Sequence, residues 1–265
     1  MLSVVLTLLL ASCAAGNTTT VTPRPSIDGS TGAGAGGGAP SLPTALPTPT
    51  ASPVVAPTAS LSPVGQSLAS AQADFDCDGR ADRLTFYASV GAAPAGPNMV
   101  VRLVLATGAV HELVLPTNDA SDQGSPLIGT ADVNGDGCDD AIVTVGHGAS
   151  TTWTTFLVYD GVELRRVEEE GKPVTFLFGG SVRHGNAIEC RTRKDASEIV
   201  ARAVSDYISD FEWDAVEDVH HWSTKSELVL WSTSRSVIAV SVRYAMPIDQ
   251  DRYWGLSCGN VKLSG

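Results

Sequence analysis

The chain has 265 residues, 43% of them hydrophobic, and a formal net charge of -12. That length allows one domain with a sizeable core. The acidity repels nucleic acid and anionic headgroups and favours cations, so no DNA or RNA partner is expected.

The chain opens with an apolar run, Met1 to Ala11, of signal-peptide length and too short to cross a bilayer as a mature helix. It ends in Leu10-Ala11-Ser12-Cys13, which resembles a bacterial lipobox. The resemblance implies that 1–12 is a cleaved signal peptide and that Cys13 carries a lipid. It also implies a lipid-anchored place on the outer face of the membrane, in a bacterial cell envelope. Residues 13–70 are rich in Ala, Thr, Pro, Ser and Gly, with only Arg24 and Asp28 charged and no aromatic residue. Such text buries too little apolar surface to fold and reads as a disordered tether. Gly32-Ala33-Gly34-Ala35-Gly36-Gly37 within it follows no strand and opens no helix, so it is composition, not a dinucleotide site.

From 71 to 265 the text becomes strand-like. Two acidic stretches, Asp74-Phe75-Asp76-Cys77-Asp78-Gly79-Arg80-Ala81-Asp82 and Asp132-Val133-Asn134-Gly135-Asp136-Gly137-Cys138-Asp139-Asp140, share the pattern D-x-[DN]-x-D-G-x-x-D. Oxygen side chains at positions 1, 3, 5 and 9, with Gly at 6 for a sharp turn, suit a loop around a hard cation. Position 7, Arg80 or Cys138, would add its backbone carbonyl. An EF-hand would need Glu at position 12, where Thr85 and Val143 stand. A strand-like run follows each loop, Arg83 to Tyr87 and Ala141 to Val145.

Loop and strand together resemble the calcium loop of the FG-GAP/VCBS repeats, found in integrin-type β-propellers and many secreted bacterial proteins. Gly91-Ala92-Ala93-Pro94 and Phe178-Gly179-Gly180 are faint echoes of that family's other motifs. The resemblance implies two structural Ca²⁺ sites. Their ligands would be Asp74, Asp76, Asp78 and Asp82 in the first loop, and Asp132, Asn134, Asp136 and Asp140 in the second.

Each loop heads a meander. The first continues through a hairpin, 100–105 and 110–115; the second through 153–159 and 162–167, turning at Asp160-Gly161. A third unit without a loop has strands at 187–191 and 198–204, then a hairpin at 219–222 and 227–231. A last strand covers 237–244. The expected fold is all-β, with about three antiparallel meander repeats arranged as an incomplete propeller or a compact sandwich.

With Cys13 set aside, four of the five cysteines remain, Cys77, Cys138, Cys190 and Cys258, and an exported chain favours two disulfides among three pairings. Cys77–Cys138 is favoured because each lies in a calcium loop and consecutive repeats neighbour one another. Cys190–Cys258 then follows. The histidines offer no ligand set: His220 and His221 face opposite sides of a strand, and His111, His147 and His184 follow turns or strands singly. Asp206, Asp210, Glu212, Asp214, Glu217 and Asp218 form an acidic cluster in which Glu212 and Asp214 share a strand face, a weak glycosidase pattern. The five tryptophans fit core packing better than a carbohydrate platform.

The sequence thus points to an envelope-anchored lipoprotein whose calcium-stabilised domain is a non-catalytic binding or adhesion module. It is expected to be monomeric, with a protein or glycan ligand. The alternatives are a glycosidase-like envelope hydrolase using residues 206–218, and an accessory subunit that docks on another envelope protein.

Overall fold

The computed structural model of the protein describes residues 61–90, 98–116, 125–194, 196–206, 208–241, 246–247 and 249–264. The expected signal segment, Cys13, the tether up to residue 60 and Gly91-Ala92-Ala93-Pro94 lie outside the described residues.

The fold is all-β, in two largely antiparallel sheets. The first has the order β1-β2-β3-β4, with β1 Val64–Ala73, β2 Asp82–Ser89, β3 Asn98–Val104 and β4 Val110–Pro116. The sequence boundary at residue 70 is therefore placed too late, because 64–70 belong to β1. That text carries little apolar signal of its own. It is a strand because Ala69 to Ala73 pair in step with Phe86 to Asp82, and because Leu68, Ala69 and Ala73 pack onto the core.

The second sheet contains β5 Leu127–Ala131, β6 Asp140–His147, β7 Thr151–Tyr159, β8 Leu164–Arg166, β9 Glu168–Glu169 and β10 Lys172–Pro173. It continues with β11 Phe176–Ser181, β12 His184–Arg193, β13 Ala196–Ser205, β14 Glu212–Trp222, β15 Glu227–Ser241 and β16 Met246–Pro247. A short helix, α1 Gln250–Tyr253, precedes β17 Gly255–Cys258 and β18 Val261–Leu263. The main path runs β10-β9-β15-β14-β13-β12-β11-β7-β6-β5. The first half of β7, Thr151 to Thr154, pairs with β11, and its second half, Leu157 to Tyr159, pairs with β8. The second and third sequence units therefore share one sheet and are not separate blades.

The continuous apolar text of β6 now has a cause. Ala141, Val143 and Val145 enter a core shared with Leu84, Phe86, Met99 and Leu103 of the first sheet. Ile142 points the other way, into a second core with Phe156, Val167, Phe176, Ile188 and Ile199. β7 divides likewise, Leu157 to the first core and Phe156 and Val158 to the second. These central strands are covered on both faces, which requires runs of apolar residues instead of alternation. The Asp160-Gly161 turn closes on the Asp160 carboxylate, which accepts the Val162 and Glu163 N–H groups at 2.8 Å each.

Candidate metal centre

The two acidic loops connect equivalent strand pairs, β1 to β2 and β5 to β6. They turn alike at two positions. Position 4 is left-handed in both, Cys77 at φ 59° and Gly135 at φ 80°, and so is position 6, Gly79 at φ 79° and Gly137 at φ 89°. The two position-4 residues differ for a steric reason. A Cβ on Gly135 would sit 2.1 Å from the Ser197 hydroxyl oxygen.

The first carboxylate of each loop gathers the turn. Asp74 accepts the Asp78 and Gly79 N–H groups at 3.1 and 2.9 Å. Asp132 accepts those of Gly135 and Gly137 at 2.6 and 3.0 Å. Asp76 Oδ1 accepts the Asp78 N–H, and Asn134 Oδ1 that of Asp136. Position 5 repeats this toward position 7: Asp78 Oδ1 accepts the Arg80 N–H, and Asp136 Oδ1 accepts the Cys138 N–H. The position-9 carboxylates are buried and brace the loops from beneath. Asp82 accepts the Phe75 N–H at 2.9 Å with one oxygen and the Ala106 N–H at 2.8 Å with the other. Asp140 accepts the Val133 N–H at 3.0 Å. Burial, reinforced by Asp136 and Asp132, pushes the Asp140 carboxyl well above the usual carboxylate range.

The loops are clasped to each other. Cys77 and Cys138 form one disulfide and Cys190 and Cys258 the other, the two pairings favoured from the sequence. Beside the first, the Asp139 N–H donates to the Asp74 carbonyl at 2.8 Å, and the Asp74 N–H donates to the Asp139 carboxylate at 3.3 Å. Asp139 joins the loops although it falls outside the ligand pattern.

The donor set fits a hard cation better in one loop than in the other. Carboxylate oxygens of Asp74, Asp76 and Asp78 lie within 4.8 Å of one another, the separation expected of oxygens sharing one ion at ~2.4 Å. Burial raises the Asp76 carboxyl, and its acidic neighbours Asp82, Asp78 and Asp74 add to the rise. Arg80 bonds to Asp78 and holds that carboxyl down. The second loop has Asn134 in place of the middle carboxylate, and a cation of the protein's own already sits there. Lys225, in the β14–β15 turn, places Nζ 2.9 Å from Asp136, and its backbone carbonyl accepts the Asn134 side-chain amide at 3.1 Å. Cys77, Asp136 and Cys138 also cluster, but both sulfurs are consumed by the disulfide, so this is not a thiolate site. Nothing in the local sequence marked Lys225, which arrives from a hairpin far along the chain.

Most of the other candidates are held in structural pairs. Asp206 and Asp210 flank Arg183, Glu217 bonds Arg202 and Arg252, and Asp218 accepts the Thr233 hydroxyl. Glu212 is exposed and Asp214 half-buried, with Trp213 buried between them. Phe211, the neighbouring aromatic residue, is exposed. His220 is buried against Glu169 and Phe176, while His221, on the opposite face, bonds Glu198. His147 and His184 lie beside the Thr152 and Ser181 hydroxyls. His111 is half-buried against Tyr159. Trp213 and Trp254 share a small core beneath α1, Trp153 and Trp222 pack on the two larger cores, and Trp231 alone of the five is exposed. Comparison with family models, curated proteins and solved structures gave no match.

Proposed function

We propose that the protein is a calcium-stabilised β domain acting as a non-catalytic binding or adhesion module, held at a bacterial cell envelope by a lipid on Cys13. The observation that carries the reading is the pair of loops with the same left-handed turns at positions 4 and 6, clasped by a disulfide, one of them presenting three convergent carboxylates. In the first loop Asp74, Asp76 and Asp78 would hold the ion, with the Arg80 carbonyl and Asp82 completing its surroundings. In the second Asp132, Asn134 and Asp136 would do so, with the Cys138 carbonyl and Asp140. The ions would neutralise clustered carboxylates and fix the loops between strands. Two disulfides fit an oxidising, extracytoplasmic setting. The face-to-face packing of the first sheet on β6 and β7 favours the compact sandwich over the incomplete propeller. Trp231 is the surface aromatic group best suited to a glycan or protein ligand.

Thermal unfolding in Ca²⁺ and in chelator tests this reading. An ion at about 100 times its dissociation constant adds about 2.7 kcal/mol. The gain should shrink in Asp76→Ala and in Asp136→Ala. A melting temperature indifferent to Ca²⁺ would reduce the loops to acidic turns.

Lys225→Met should tighten binding at the second loop, up to about fivefold, since an exposed ion pair is worth ~0.2–1 kcal/mol. Calorimetric titration would read two affinities drawing closer together. Unchanged affinities would mean that Lys225 does not compete for the site.

A further inference from the structure

We propose that two copies of the protein pair through the open edge of β15, as an antiparallel two-fold dimer centred on Ser234. The monomer expected from the sequence would then be one side of a concentration-dependent equilibrium.

β15 is 15 residues long. β14 lines one side of it from Leu228 to Ala239, and the Phe211 carbonyl continues that side at Val240. On the other side β9 meets only Glu227 and Leu228, and β16 only Val240 and Ser241. Among the described residues, no strand pairs with that side of 229–239. Every residue from Val229 to Val237 is exposed. A long bare edge is a template for another strand, and proteins usually guard it with proline, short length or several charges. The text Val229-Leu230-Trp231-Ser232-Thr233-Ser234-Arg235-Ser236-Val237-Ile238-Ala239 has no proline, no glycine and a single charge. Its one irregularity is the bulge at Trp231, where the register with β14 shifts.

The partner that fits is the same edge. Ser234 is the midpoint of 229–239, so a two-fold axis there pairs the central residues, 232–236, with themselves, and strand twist carries each copy clear of the other's β9 and β16 beyond them. Beyond the bulge, the register with β14 sets Ser232, Ser234 and Ser236 on the face of Val219, Glu217 and Ala215. Thr233 and Arg235 lie on the opposite face, with Asp218 and Val216. About the axis, Ser234 meets its own counterpart and Ser232 meets Ser236, a row of hydroxyls able to bond across the seam. Arg235 faces Thr233 of the second copy, not another arginine. Behind that threonine, one strand further in, lies Asp218, which already accepts the Thr233 hydroxyl at 2.6 Å. Two strand spacings are about 10 Å, which an extended arginine and an aspartate together span. Among the described residues, the ion pairs of this region join Arg183, Arg202 and Arg252 to Asp206, Asp210, Glu189 and Glu217, leaving Arg235 and Asp218 for each other. Symmetry makes the pair twice. One strand edge is a small interface, so the dimer dissociates on dilution.

Sedimentation velocity of the full chain over a concentration series is the test, with circular dichroism melting to confirm that each variant folds. The wild type should shift from monomer to dimer as concentration rises. Arg235→Asp, at an exposed position, should weaken the dimer roughly tenfold or more by facing Asp218 with a like charge. Asp218→Arg should do the same, and the double exchange R235D/D218R should restore dimerisation. A monomer at every concentration overturns the proposal, as does a dimer indifferent to R235D. A monomer whose Leu230 to Ala239 amides resist hydrogen exchange also overturns it, and would give the edge to another segment of the chain.

Discussion

Replacing Cys77 and Cys138 together by serine should cost about 4 kcal/mol of stability, the chain-entropy value for a closed loop of this length. The two cysteines are 61 residues apart. A loss of that size is a large fraction of the 5–15 kcal/mol typical of a domain. The Cys190–Cys258 bridge closes a similar span, 68 residues, and its removal should cost a similar amount. The two variants should differ in a second measurement. Cys77 and Cys138 join the acidic loops, so their loss should weaken the proposed cation binding as well as stability. Cys258 lies in the second core, and its loss should leave cation binding unchanged at temperatures where the protein stays folded. Backbone conformation adds a finer test. Cys77 stands at φ 59°, where its counterpart in the second loop is glycine. The pair C77G/C138S should therefore recover about 1 kcal/mol relative to C77S/C138S, by relieving a side chain held in the left-handed region. Urea unfolding under oxidising conditions, with and without chelator, reads both terms. A loss below about 1 kcal/mol for the serine pair would mean that the contacts between loops hold without the bridge.

Much of this arrangement was legible in the sequence because it depends on short-range chemistry. The loop pattern located both acidic turns, since a carboxylate bonding N–H groups three to five residues ahead leaves its mark within nine positions. Asp160-Gly161 located a hairpin for the same reason. The text was less informative wherever the cause lies far along the chain. Val64 to Ala73 is strand by virtue of β2, not of its own residues. β7 reads in the sequence as one arm of the second unit's hairpin, yet it also joins that unit to the strands that follow, because its first four residues pair with β11. Periodicity within β7 cannot announce a change of neighbour along one edge. Lys225 was invisible as a loop residue because its place beside Asp136 depends on how the β14–β15 turn meets the second loop. The open edge of β15 follows only from knowing which strands stop short of it.

Asp82→Ala should destabilise the protein by about 4 kcal/mol, and the loss should persist in chelator. Asp82 is 1% exposed, and each of its oxygens accepts a different backbone N–H, from Phe75 within the loop and from Ala106 in the β3–β4 turn. Alanine would strand two donors, each at about 1–3 kcal/mol. Asparagine should recover only part of this, because its amide nitrogen would face one of the two N–H groups. Asp76→Ala makes the contrast. Among the described residues, Asp76 accepts a hydrogen bond from the nearby Asp78 N–H alone, so its removal should cost little in chelator and remove most of the gain proposed for Ca²⁺. The same pair of measurements thus separates two duties that the loop pattern alone assigns to one set of carboxylates: those that face the ion and those that hold the turn in the shape that receives it. If Asp82→Ala lost stability only when Ca²⁺ was present, position 9 would belong wholly to the ion, and the bonds to Phe75 and Ala106 would be its consequence.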